Sequence, residues 1–349
     1  MKRISAAVAA FILVLSTVAF VACKPAGEHV HDYGDWEVVT EETCTEDGLM
    51  RRYCKAGDNA YESEVIPALG HSFGTNNVCV RCGHEIIPTE GLGYMPEEGG
   101  YSVVCGSATA MEIVIPAYYE GKPVLSVHAD GFMNKSITSL FLPEGIKSIG
   151  KRAFYDCVSL TSIVLPNSLE EISDMAFANC FAVNTATIGT GRSNLITIGK
   201  EAFRDNNSLV SIVIPESVKT VGDFAYSNCG LARVIRMGNG VETIGVSAFS
   251  NCVSISSVTL SMSVKSIGAN AFAGCKEMKE IVFYPGVTAI GSGAFNDCEN
   301  LATLRYWGSM ADWQSRAASF AFDWNGANSG DFRIRCTDGD LDRSGFEIH

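Results

Sequence analysis

Basic charge is in short supply in this chain. Its 26 Lys and Arg stand against 39 Asp and Glu, a formal net charge of -13. A general nucleic-acid binder carries a basic footprint, so this balance argues against that class. The acidity is spread along the chain, as in a soluble surface, and is not gathered into a recognition tail. Long apolar runs are also missing beyond the N-terminus. After Ala22 no stretch approaches ~18 apolar residues, so nothing downstream is expected to span a bilayer. Histidine is sparse too: of six, four lie between residues 28 and 87 together with four of the thirteen cysteines. The 349 residues suffice for two or three ordinary domains, or for one long repeat array with a small module.

What is present begins with a leader. Met1-Lys2-Arg3 is a short positive segment, and Ile4 to Ala22 is apolar or small except at Ser5, Ser16 and Thr17. Residues 1–22 are therefore expected to be a secretory signal peptide. Phe20-Val21-Ala22-Cys23 resembles the lipobox of bacterial lipoproteins, with Phe where Leu is usual. That resemblance implies lipid modification of Cys23, a linker over 23–30, and an extracytoplasmic, membrane-anchored or cell-surface bacterial location.

From residue 127 to 302 one pattern returns eight times, aligned on Phe132, Phe154, Phe177, Phe203, Tyr226, Phe249, Phe272 and Phe295. Successive aromatics are 22, 23, 26, 23, 23, 23 and 23 residues apart. A fixed period of this size marks a solenoid. Leu160, Ile163 and Leu165 give the L-x-x-L-x-L run of a leucine-rich repeat. The last two alternate as in a half-buried strand, so stacked copies predict a parallel sheet with one strand per coil. The Gly of Ile-Gly (Gly150, Gly199, Gly222, Gly245, Gly268, Gly291) is expected to supply a positive φ. The Ala-Phe that follows is expected on a short helical turn, with the rings forming an axial stack. Six cysteines fall three residues after the aromatic, and Asn206 takes that place in one copy. Exchange of Cys for Asn fits buried thiols in a polar ladder and not obligatory disulfides.

These copies closely resemble the leucine-rich repeats of BspA-type bacterial surface proteins. The resemblance covers roughly residues 94 to 340 and implies a right-handed α/β solenoid. It implies an N-terminal cap over 94–126, repeats over 127–303, a C-terminal cap over 304–340 and a tail over 341–349. The Phe177-to-Phe203 copy holds an insertion, Gly189 to Asn194, which maps to a loop.

The outward strand positions are rich in hydroxyls, with cations toward the C-terminal half. Arg233, Arg236, Ser256, Ser257, Thr259, Lys279 and Arg305 are the candidate binding face. No His or carboxylate pair falls among these outward positions, so no catalytic constellation is expected. The expected role is non-catalytic surface recognition or adhesion toward a protein or glycan. The alternative is a spacer or scaffold of the cell envelope.

Residues 31–88 form a Cys/His-rich module. It resembles a short repeat found beside surface domains in gut Firmicutes, with Cys54-Lys-Ala-Gly57 standing where C-x-x-C-G belongs. Cys79-x-x-Cys82 is half of a zinc knuckle, and Cys54 and His71, with Cys44 and His84 as further candidates, are the residues available to complete a structural site. Disulfides between Cys44 and Cys54 and between Cys79 and Cys82 are the other reading. No other cofactor is expected.

Overall fold

The structure, a computed structural model, describes residues 33–345 apart from 45, 56–59, 67–70, 190–192, 322 and 327–328. The expected leader, Cys23 and the middle of the insertion lie outside the described residues. Among the described residues no helix is long and apolar enough to cross a membrane. The chain divides into two compact units, Met1–Leu69 and Gly70–His349.

The first unit is an antiparallel meander of Glu37–Thr40, Gly48–Tyr53 and Tyr61–Ile66, in that order across the sheet. Arg52 fastens it. Its Nε donates to Glu62 at 2.6 Å, and its guanidinium lies 4.9 Å over the Trp36 ring and 5.3 Å over Tyr33. These cation–π contacts give a small unit with little apolar core some lateral order. Cys54 follows the central strand, and its backbone bridges Tyr33.

The second unit is a parallel β-solenoid. The repeat pattern predicts one strand per coil; most coils form two. The longer strands carry the L-x-x-L-x-L residues. Ser162–Leu165 pairs with Thr185–Ile188, and a second run leads from Ser211–Ile214 through Val234–Met237, Ser257–Thr259 and Glu280–Phe283 to Thr303–Tyr306. The ladder breaks between Thr185–Ile188 and Ser211–Ile214, the step that carries the insertion. Two-residue strands such as Thr220–Val221, Thr243–Ile244 and Ser266–Ile267 make another parallel ladder, ending on the Ile or Val of Ile-Gly. Two residues are too few to show a period, so only the neighbouring coil reveals them as strands.

The glycines after these short strands do not have positive φ, and here the structure corrects the expectation. A Cβ added at Gly245 would sit 2.6 Å from the Asp223 nitrogen, and one at Gly268 2.5 Å from the carbonyl carbon of Gly245. Glycine is needed because the preceding coil's backbone passes too close for any side chain.

Left-handed residues lie instead two before and two after every ring. Arg152 and Asp156 flank Phe154, Met175 and Asn179 flank Phe177, and Ser247 and Asn251 flank Phe249. The second position is Asn134, Asp156, Asn179, Asp205, Asn228, Asn251, Gly274 and Asp297, the residue types that tolerate this region most cheaply. The Ala-Phe segment is thus a chain of tight turns and not a helix. Its backbone also ladders between coils: Phe154 N–H donates to Ala176 and Tyr226 N–H to Ala248, both at 2.8 Å. Asn179 Nδ2 donates to Asp156 at 2.7 Å and Asn228 Nδ2 to Asp205 at 2.6 Å, extending the ladder into side chains.

Inside, the eight rings stack with centroids 5.1–5.9 Å apart and planes within 18°. That spacing is slightly wider than one strand step, giving offset rings. At the C-terminal end the helix Met310–Ala317, the one α-helix among the described residues, closes the stack. Ser309 caps it by accepting from the Asp312 N–H at 3.1 Å. Its Trp313 is 1% exposed and meets Phe283, Tyr306 and Trp324 edge-on, and Trp324 in turn meets Phe295. The capping rings therefore replace the missing next coil.

Tyr226 is the one ring of the stack with a hydroxyl, and that hydroxyl is buried with no hydrogen-bond partner. Burial pushes its pKa far above the ordinary tyrosine value. Removing an orphaned hydroxyl relieves a desolvation cost of about 1–3 kcal/mol, whereas emptying a ring site costs about 3–5 kcal/mol. Tyr226→Phe is therefore expected to raise the thermal midpoint and Phe249→Ala to lower it by several degrees. Calorimetry on the two variants checks both signs.

Candidate functional site

Coil stacking turns strand residues at 23-residue intervals into columns on the outer face of the longer-strand sheet. Val213 stands beside Arg236 in register, and Thr259, Val282, Arg305 and Arg335 follow one another in the same way. Ser257 stands beside Val234 and Glu280 in the adjacent column, and Arg233, Ser256 and Lys279 lie where the chain enters the strands. All seven residues expected on the binding face are exposed: Arg233, Arg236, Ser256, Ser257, Thr259, Lys279 and Arg305.

The two ends of this cationic strip differ electrostatically. Arg305 donates through Nε to Glu280 Oε1 at 3.1 Å, and Arg335 lies 3.8 Å from Asp340. Those carboxylates offset the repulsion of two arginines directly in register. The side chains of Arg233 and Arg236 make no ion pair or hydrogen bond among the described residues, while the Arg233 backbone N–H donates to the Val210 carbonyl at 3.1 Å. Their charge is turned outward unopposed.

The sheet ends in an open cleft of about 420 Å³ lined by Arg305, Tyr306, Trp307, Arg335, Cys336, Thr337 and Asp340. Trp307 is 53% exposed, a large ring left in solvent beside two guanidinium groups. Sequence reasoning missed Arg335 as part of this surface. It lies 30 residues beyond Arg305, outside the 23-residue period, and joins the sheet because Arg333–Arg335 pairs in parallel with Thr303–Tyr306. The exposed Arg333, beside Thr303 in the neighbouring column, was equally illegible.

The family model described as BspA type leucine rich repeat region matches in six copies over residues 126–235 and 196–321, more than half of the chain. The chain belongs to the BspA-type leucine-rich repeat family. Among solved structures, a leucine-rich repeat protein of Bacteroides ovatus is 20% identical, with 72% of this chain and 71% of that one covered and a TM-score of 0.48. The leucine-rich repeat protein of T. pallidum is 21% identical over 70% of this chain and 100% of its own, with a TM-score of 0.40. A leucine rich cell surface protein of Faecalibacterium prausnitzii is 16% identical over 67% and 98%, with a TM-score of 0.30. No curated protein matches the chain.

Two chemical classes stand out among the described cysteines of this BspA-type chain. In the repeats, each thiol reaches back to the carbonyl of the preceding coil's aromatic. Cys157 donates to Phe132 at 3.2 Å, Cys252 to Tyr226 at 3.2 Å and Cys298 to Phe272 at 3.2 Å. Asn206 does the same with Nδ2, donating to Phe177 at 2.9 Å and Phe203 at 2.8 Å. The six repeat thiols are free and buried. Burial pushes Cys157 and Cys298 up to about 12 and drives Cys180, Cys229 and Cys275 upward as well.

The second class sits in the turn before the repeats. Cys79 is 2% exposed, and Cys82 is exposed on the same turn. Gly83 takes φ +74° and donates to the Cys79 carbonyl at 2.8 Å, while the Cys79 N–H donates to His84 at 2.7 Å. His71 Nδ1 is 3.3 Å from Cys82 Sγ, and its ring stacks on His84 at 4.7 Å. The sulfur and nitrogen donors of His71, Cys79 and Cys82 all lie within 4.8 Å of one another. Burial alone would raise the Cys79 thiol. The backbone N–H groups of Cys82, Arg81 and Ser72 and the His71 ring outweigh it and hold the thiol at about 5. Cys54, also expected among the ligands, belongs to the other unit.

The repeat thiols carry a pH prediction. Their folded pKa values lie above the ordinary 9.0, so the native state favours the protonated form. The resulting stability is complete below pH about 9 and is lost as pH rises from there toward 12. The thermal midpoint is expected to hold from neutrality to about pH 8.5 and to fall above about 9. Iodoacetamide at pH about 8 should leave Cys157 and Cys298 unmodified until the protein is unfolded, read by peptide mass spectrometry.

Proposed function

We propose that this protein is a non-catalytic recognition or adhesion protein of the bacterial cell surface, and that it engages an anionic protein surface or glycan through the C-terminal half of its strand face. The carrying observation is the pair Arg233 and Arg236. Both are exposed, both lack an ion-pair partner among the described residues, and both belong to a chain of net charge -13. Unopposed cations on a flat sheet of an acidic protein attract an acidic partner locally while the rest of the surface repels it. Ser256, Ser257 and Thr259 add hydroxyls that hydrogen-bond without fixing one partner shape. Trp307 beside Arg305 and Arg335 supplies a ring for apolar stacking and guanidiniums for carboxylates or sulfates.

Location follows from the leader. Residues 1–22 read as an export signal and Cys23 as the lipid-modified residue, and several acyl chains on one cysteine hold a protein stably at a membrane. Metabolic labelling with a radioactive fatty acid is expected to mark the chain in its bacterial host. Cys23→Ala should abolish the label and release the protein to the medium, and persistent labelling of that variant would exclude the site.

The binding reading is tested with the purified chain on a glycan array and on host mucosal proteins. Saturable binding to acidic partners is expected, weakening steeply with salt. Arg233→Glu with Arg236→Glu should weaken it at least about 10-fold, or ~1.4 kcal/mol, with an unchanged melting temperature. Binding that survives the double reversal removes this face as the site. Silence on both panels favours an envelope scaffold.

A further inference from the structure

We infer that His71, Cys79 and Cys82 hold one Zn²⁺ ion that acts as a structural clamp on the turn preceding the repeats. The donor set is two sulfurs and one imidazole nitrogen, the ligand types that zinc prefers in closed structural sites. Their placement fits before any ion is added. Bonds of about 2.3 Å to sulfur and about 2.0 Å to nitrogen, opened at tetrahedral angles, put neighbouring donors roughly 3.5–3.8 Å apart. The His71 Nδ1 to Cys82 Sγ distance is 3.3 Å, and the full trio lies within 4.8 Å. A small contraction of Cys79 toward the other two completes the arrangement.

The turn around the donors is held by its own backbone. The Gly83 N–H donates to the Cys79 carbonyl at 2.8 Å and the Cys79 N–H to the His84 carbonyl at 2.7 Å, so the two cysteines sit on one closed turn. Gly83 at φ +74° lets the chain reverse directly after Cys82. His84 stacks on the His71 ring at 4.7 Å with planes 21° apart, fixing the direction in which Nδ1 points. A fourth ligand, water or a further side chain, completes the tetrahedron.

The segment also needs a clamp. Between His71 and Ile86 the buried apolar side chains are Phe73, Cys79 and Ile86, too few to hold a turn by burial alone. A metal bound only by the folded turn supplies that missing stability. The Cys79–Cys82 disulfide is the competing chemistry in an exported protein. It would tie up the Cys82 sulfur that His71 Nδ1 faces at 3.3 Å and leave the imidazole against a disulfide, a poor hydrogen-bond partner.

The test uses the full chain, purified under reducing conditions without chelator. Elemental analysis should give about one zinc per chain. Replacement by Co²⁺ should give the visible bands of a tetrahedral site and a thiolate charge-transfer band. At saturating Co²⁺, Cys79→Ser and Cys82→Ser should each roughly halve that band, and each should lower the zinc that co-purifies well below one per chain, while the circular dichroism of the repeats stays unchanged. His71→Cys should retain the metal and strengthen the band, a result that mere loss of folding would not produce. An octahedral Co²⁺ spectrum, zinc unaffected by the Cys79 and Cys82 substitutions, or a reduced chain that takes up no zinc would each overturn the site. So would a Cys79–Cys82 disulfide, shown by peptide mapping, whose reduction yields no metal binding.

Discussion

Every coil in this solenoid must repeat at the spacing of one strand ladder, and most of the sequence answers to that requirement. Backbones cross near the Ile-Gly step with no room for a Cβ, so Gly222, Gly245 and Gly268 stack one upon the next. Rings that recur at this interval stack offset, since they are too far apart for tight face contact. Polar groups that recur at it hydrogen-bond to their own copies. The Asp156–Asn179 and Asp205–Asn228–Asn251 chains and the Cys-to-carbonyl bonds are the same device made with different atoms. Lys147–Glu170 and Lys265–Glu242 repeat it at the surface, where such pairs contribute little. A coil lacks a complete core by itself, so stability passes from neighbour to neighbour and the two ends need caps.

The same periodicity shapes what the outer face can do. A column of side chains at fixed spacing makes a flat, extended surface, and its chemistry is the list of residues placed in the column. Here the list changes along the axis. Arg236 stands beside Val213, Thr259 and Val282 come after it, Arg305 and Arg335 follow, and Trp307 lies at the end. The cations therefore fall in two places, Arg236 without an ion-pair partner among the described residues and Arg305 with Arg335 beside the carboxylates of Glu280 and Asp340, on a molecule otherwise acidic.

The cysteines show how strongly burial decides the chemistry of one residue type. A thiol aimed at a carbonyl inside the coil is a weak donor and stays protonated. A thiol on a turn whose N–H groups converge on it favours the thiolate. The first kind belongs to the core and the second lies on a polar turn beside His71, although the letter in the sequence is the same.

The period, the aromatic core, the inward thiol with its Asn206 substitute and the outward cations were all legible in the sequence, because each depends on spacing along the chain. So was a signal that went unread: Asn, Asp or Gly stands two residues after every ring, where the backbone turns left-handed. The role of the Ile-Gly glycine was not legible, since its reason is the backbone of another coil. The second ladder escaped for the same cause, and so did Arg335, which reaches the face by a pairing outside the period. The approach of His71 to Cys82 likewise depends on the path of the turn between them. Spacing along one chain settles which residues recur; which backbones pass within a few ångströms is settled only when the coils stack.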